Sequence, residues 1–168
     1  DDALHAAFVR SMVAHGTLLG VDATEALAAP GVVAVLTADD LDLSPVAPSI
    51  PALDQSMVRT WLATERVRYV GEPVAVVLAG TPTEAADAVD MVEVDVDPLP
   101  AVIGFDAARA DEVLVHPDAG TNRCFSMGSE PEPGLFDGCE VVVEVSFTNP
   151  RMNVAPIEPR AAIARWDP

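Results

Sequence analysis

The densest group of chemistry-bearing residues lies near the end of the chain. NPRMNVAPIEPR, residues 149–160, packs three prolines, two arginines and one carboxylate into twelve positions. Prolines on either side of Glu158 restrict its backbone, and Arg160 stands close enough in sequence to pair with it. Two readings fit: a rigid carboxylate–guanidinium pair at a functional site, or an ordinary crossing between strands fixed by an ion pair.

Elsewhere the residue types that do chemistry are scattered. His5, His15 and His116 show neither H-x-x-x-H nor H-E-x-x-H spacing, so each reads as a surface residue or a hydrogen-bonded core residue. Glycine-rich phosphate cradles and the G-x-S-x-G elbow are absent, and a chain without lysine has no P-loop. Glu93, Asp95 and Asp97 alternate with valine, which describes the solvated side of a strand rather than a divalent-cation site. Asp39 with Asp40, and Glu130 with Glu132, read the same way. Cys124 and Cys139 are too few for a disulfide framework or a zinc site and are expected as small buried hydrophobes. Arg123 beside Cys124 is too little positive charge to make that thiol reactive. No catalytic residue and no metal ligand emerges.

Composition narrows the classes further. A chain of 168 residues, half of them hydrophobic, suits one domain with a real core, or one domain and a fragment of a second. Nine basic residues, all arginine, oppose 27 acidic ones, for a net charge of -18. Such a surface repels phosphate backbones and anionic lipid, so nucleic-acid and membrane partners are not expected. The acidity serves solubility, or else a face that meets a basic partner. No run approaches the roughly 18 apolar residues of a membrane helix. Asp1 and Asp2 are acidic where a signal peptide is basic. With two cysteines only, the expected setting is reducing and cytoplasmic.

The elements that must position these residues alternate. Residues 4–11 and 16–21 read as strands. Asp22 and Glu25 have capping-box spacing for a short helix that Pro30 and Gly31 end. Residues 31–36 are a nearly continuous apolar strand, which predicts cover on both faces. Thr37 to Asp40 suits one helical turn, and three prolines make residues 43–53 irregular. Strands follow at 67–70 and 74–78. Thr81, Pro82 and Glu84 then open a helix whose Ala85, Ala88, Val89 and Val92 share one face. Residues 93–97 return to strand, with Val94 and Val96 inward. Strand, helix and strand in succession predict a βαβ-like unit in a mixed sheet. Residues 104–138 are loop-rich. Residues 139–148 and 160–166 read as further strands, and the end at Asp167 and Pro168 looks cut.

Several segments together resemble one family, that of the xanthine dehydrogenase, aldehyde oxidase and carbon monoxide dehydrogenase large subunits. They are LHAAFVRS (4–11), ALAAPGVVAVLTADDL (26–41), YVGEPVAVV (69–77), AADA (85–88), VEVDVDPLPAV (92–102) and the 149–160 stretch, in family order. The resemblance implies an α+β fold: an a/b hammerhead domain with a mixed sheet and short helices over residues 1–135, then the truncated start of a molybdopterin-binding region over 139–168. It implies an oxidoreductase that hydroxylates aldehydes, N-heterocycles or carbon monoxide. The molybdenum of molybdopterin would be its centre, with 2Fe-2S clusters and FAD on partner domains or subunits. The family's glycine-rich cofactor loops and catalytic glutamate lie downstream of this match, so this chain is expected to hold no active site and no cofactor. Glu158 and Arg160 match the family motif and are implied only as scaffold near the cofactor; Val154 stands where many relatives have histidine. The alternative is a stand-alone interaction module of the same fold. A fragment would leave apolar surface around residues 141–147 and 163–166.

Overall fold

The computed structural model describes residues 3–128, 132–149, 152, 155–165 and 167. The chain divides into two units, Asp1–Met127 and Gly128–Pro168.

Among the described residues, all the regular structure lies in the first unit. Its strands are β1 (His5–Arg10), β2 (Gly16–Asp22), β3 (Val32–Thr37), β4 (Arg66–Val67), β5 (Pro73–Ala79) and β6 (Glu93–Pro98). Its helices are α1 (Thr24–Ala28), α2 (Pro82–Val89) and α3 (Phe105–Ala110), with single 3-10 turns at Ala38–Asp40 and Pro117–Ala119. The strands form two three-stranded sheets, in the orders β1-β5-β3 and β4-β2-β6. Every pairing between them is antiparallel.

α2 forms as its sequence dictates. The Thr81 hydroxyl accepts from the Glu84 backbone N–H at 3.2 Å and donates to the Glu84 carboxylate at 2.9 Å, with Pro82 in the first turn. The expected inward face is real: Ala85 and Ala88 are buried, and Ala88 and Val92 pack with Val9, Ala75 and Val77. Alanine on the helix lets it approach the sheet closely, and the strand valines fill the gap. A second cluster, Ala63, Val67 and Val74, lies against Leu18 and Val96, and Val21 and Val94 touch both clusters. Those two valines make one continuous core of the two sheets.

Several expectations change. β5, α2 and β6 do follow one another, but β5 and β6 belong to different sheets. The helix therefore carries the chain from one sheet to the other instead of crossing over within one. The N-cap of α1 is Ala23, not Asp22; the Asp22 carboxylate accepts from Thr24 N–H at 2.8 Å just before it, and no reciprocal box with Glu25 forms. At Thr37 the box does form: its N–H and hydroxyl both donate to Asp40, at 2.7 and 2.9 Å. The expected strand at 67–70 shrinks to Arg66–Val67, because Val70 and Gly71 turn the chain. The supposed loop at 104–138 holds α3. Its N-cap, Gly104, has φ 85° and no side-chain bond, so no capping residue announces the helix.

In the second unit, residues 139–149 and 160–165 are neither helix nor strand. Their alternation suits a strand, but a strand exists only through a neighbour's ladder, and none is formed among the described residues. Val141, Val143, Phe147 and Ile163 are exposed, as expected of these segments. Trp166 lies outside the described residues.

Candidate functional site

The best-built polar site surrounds the turn from Tyr69 to Glu72. Gly71, at φ 91°, takes a conformation that side chains resist, and its N–H donates to Ser11 O at 2.8 Å. Ser11 N–H returns a bond to Glu72 O at 2.9 Å, locking the end of β1 to the start of β5. Ser11 is itself buried, its hydroxyl donating to Val13 O at 2.8 Å. Arg10 reaches over the turn to donate to Gly71 O at 2.8 Å and lies 5.7 Å from the centre of the Phe8 ring.

Glu72 points inward and is only 7% exposed. Burial raises its carboxyl pKa; the Arg68 N–H donated to its Oε2, the Arg68 charge and the Tyr69 backbone pull the other way. Arg68 donates to Arg66 O at 3.3 Å and keeps its Nε buried. His116 is half-buried, its pKa lowered by burial and then by the Arg68 charge, against Asp118 and Asp54. A buried carboxyl of raised pKa is what a general acid needs, but chemistry also requires a cleft. Glu72 instead serves backbone N–H groups under a turn, which is structural work.

A second feature is a shallow groove of about 430 Å³ lined by Phe105, Arg109, Asn122, Arg123, Phe125 and Met127, among others. Its polar floor is internally satisfied. Asp111 accepts from Asn122 N–H at 2.6 Å and from the Thr121 hydroxyl at 2.8 Å. Asn122 bridges to Val113 O at 2.7 Å and Val115 N at 2.9 Å. That network shapes the loop and leaves no free carboxylate for chemistry.

The residues singled out in the sequence are not drawn together. Glu158 and Arg160 are both exposed and outside any helix or strand, so burial holds neither in place. Val154 and Glu130 lie outside the described residues. His5 is exposed, whereas His15 is buried, with Nδ1 2.8 Å from Pro100 O. That bond and Leu99 N–H to His15 O at 2.8 Å pin the chain after β6 to the start of β2. Cys124 and Cys139 are free and exposed, not buried, because both sit in segments that no core covers. Glu93, Asp95 and Asp97 are exposed along β6, as a solvated edge should be. Among the described residues, no cluster of three or more His, Cys, Asp or Glu could hold a metal ion, and no helix is long and apolar enough to cross a membrane. What residue types alone did not reveal was the Ser11–Glu72 lock. Its sequence signal is the glycine, acid and proline at 71–73, a turn followed at once by an apolar strand.

Comparison with known proteins agrees with this fold. The family model for the aldehyde oxidase and xanthine dehydrogenase a/b hammerhead domain matches residues 1–100. The carbon monoxide dehydrogenase large chain of Hydrogenophaga pseudoflava is 34% identical over 98% of this chain and 22% of its own length. The gamma subunit of the 6-hydroxypseudooxynicotine dehydrogenase complex of Paenarthrobacter nicotinovorans is 30% identical, with the same two coverages, 98% and 22%. Among solved structures, the aldehyde oxidoreductase of Desulfovibrio gigas superimposes with a TM-score of 0.64 at 32% identity, over 69% of this chain and 13% of that one. The chain thus spans about a fifth of the length of these curated relatives. It belongs to the aldehyde oxidase and xanthine dehydrogenase family, whose a/b hammerhead domain it carries, and is homologous to the large-subunit regions of molybdenum hydroxylases.

Proposed function

We propose that this chain is the N-terminal structural part of the large subunit of a molybdenum hydroxylase and has no active site of its own. In this reading residues 1–135 are the hammerhead domain and residues 139–168 begin the molybdopterin-binding region. The observation that supports it is the likeness to a carbon monoxide dehydrogenase large chain along 98% of the sequence. The parent enzyme would hydroxylate an aldehyde, an N-heterocycle or carbon monoxide. Its molybdopterin would sit in the remaining large-subunit domains, with 2Fe-2S clusters and FAD on partner domains or subunits.

The residues present do not fit those groups. A 2Fe-2S cluster held by cysteines needs more thiolates than the two of this chain. Glu158 and Arg160 are exposed and build no pocket, so their role would be scaffold on the cofactor side. The work of the domain is packing: covering the cofactor-binding domains and presenting surface to the iron–sulfur and flavin subunits. Two exposed free cysteines suit a reducing, cytoplasmic location.

Purification from the native host tests the reading. Stoichiometric molybdenum and iron, with larger polypeptides, is the expected result. A metal-free chain that purifies alone would instead favour the stand-alone module, and turnover of an aldehyde or purine by the pure 168-residue chain would overturn the claim that it has no active site.

A further inference from the structure

Sheet β1-β5-β3 is apolar on both faces, and this unit covers only one of them fully. α2 fills the face that carries Val9, Ala75 and Val77. Register fixes the other. Phe8 stands opposite Val76, which stands opposite Leu36; Ala6 stands opposite Leu78, which stands opposite Ala34. Directly paired residues project to the same side of a sheet, so these six side chains tile one surface. At its Val74 end the surface is closed by Ala63 and Val67. Beyond that, none of the six belongs to a packed cluster: Ala34, Leu36, Val76 and Leu78 are half-buried, Ala6 is exposed, and Phe8 is 46% exposed.

A sheet face that meets water normally carries polar side chains. The polar group here is Arg10, held over the Phe8 ring and bonded to Gly71 O at the rim. The three strands of this sheet, residues 5–10, 32–37 and 73–79, contain no carboxylate, in a chain that has 27. The edge strand β6, by contrast, carries Glu93, Asp95 and Asp97, the usual protection of an edge that is meant to stay free. Aromatic and aliphatic side chains with an arginine, and no acid, is the composition of an interface core.

We infer that this open face of β1-β5-β3 is the docking surface for the remainder of the large subunit. That polypeptide presents apolar side chains to Phe8, Val76 and Leu36 and a carboxylate or carbonyl to Arg10. The inference rests on the reading given under Proposed function. The occupant follows from length and charge. The chain spans 22% of its carbon monoxide dehydrogenase relative, so in that reading most of the large subunit lies outside residues 1–168 and is available to cover this face. A second copy is disfavoured because each carries a net charge of -18.

The test is photo-crosslinking in the holoenzyme purified from its host, with position 8 replaced by p-benzoylphenylalanine. Ala6, on the same face, is the second position should the first variant not fold. Irradiation should join this position to large-subunit peptides outside residues 1–168, identified by mass spectrometry. Links within residues 1–168, links to a separate iron–sulfur or flavin subunit, or no link at all would overturn the assignment. Molybdenum content and subunit masses of the same preparation separate the two failures. A molybdenum-loaded complex without the link removes the docking surface alone, whereas a metal-free solitary chain removes the hydroxylase reading beneath it.

Discussion

The carboxylate of Glu84 occupies the space that a side chain at Gly31 would need. Gly31 has φ 77°, its carbonyl accepts from Gly80 N–H at 2.9 Å, and Glu84 is held there by the Thr81 hydroxyl. The pair fastens the turn before β3 to the start of α2. Gly31→Ala should therefore destabilise the domain by about 1–2 kcal/mol from the left-handed backbone alone. Displacing Glu84 adds to this. Urea unfolding of Gly31→Ala, Glu84→Ala and the double variant separates the parts: the double variant should cost less than the sum. Simple additivity would mean that the two residues do not compete for space.

Thr81 is an exposed link in that chain of contacts. Thr81→Ala removes the acceptor for Glu84 N–H and should lower stability by about 1 kcal/mol. Thr81→Ser keeps the hydroxyl and should restore most of it. Equal losses in both variants would show that the methyl group matters and the cap does not.

Legibility in the sequence followed how local the cause was. α2 was readable because threonine, proline and glutamate at 81, 82 and 84 each satisfy a specific need of a helix start. α3 was not, because Gly104 caps through backbone freedom alone and leaves no side-chain signature. The apolar run of β3 predicts cover on both faces, but α2 covers only the face that carries Val35, and Ala34 and Leu36 on the other stay half-buried; which face a helix will take is not a property of the strand. Cys124 was misread for a related reason: thiol burial depends on a core that residues 104–128 do not build. The stretch at 139–148 has a strand's alternation but pairs with no neighbour among the described residues, and pairing is not a property of one segment. At the site, the family pattern around Glu158 and Arg160 was visible, whereas the inward turn of Glu72 needed the fold.

Glu72 gives a pH prediction. Its folded pKa is raised by burial, so the folded state keeps this proton to higher pH than the unfolded chain does. Stability from this group is complete below the unfolded carboxyl value and is lost as pH rises through the folded one. Glu72→Gln keeps an oxygen for Arg68 N–H and carries no charge. The stability of this variant minus that of wild type should therefore increase as pH rises from the carboxylate range, then level off. Parallel curves across that window, measured by urea midpoint at each pH, would mean that the charged form suffers no penalty at this position.

Asp111 titrates in the opposite sense and tests the loop that ends the first unit. It adopts φ 53°, a conformation that glycine accepts easily and aspartate accepts only with local bonds. Those bonds, from Asn122 N–H and the Thr121 hydroxyl, lower its pKa, with a smaller contribution from Arg123. Asp111→Gly gains backbone ease and loses both acceptors; Asp111→Asn tolerates the conformation and keeps one carbonyl oxygen. If the bonds decide, both variants expose residues 111–123 to protease faster than wild type at neutral pH, glycine more than asparagine. A lowered pKa means that the stabilisation is present above the unfolded carboxyl value and fades as pH falls through the folded one. Wild type and Asp111→Asn should then converge in acid. If Asp111→Gly proves as resistant as wild type, backbone strain rather than the Asp111–Asn122 bond sets the stability of this loop.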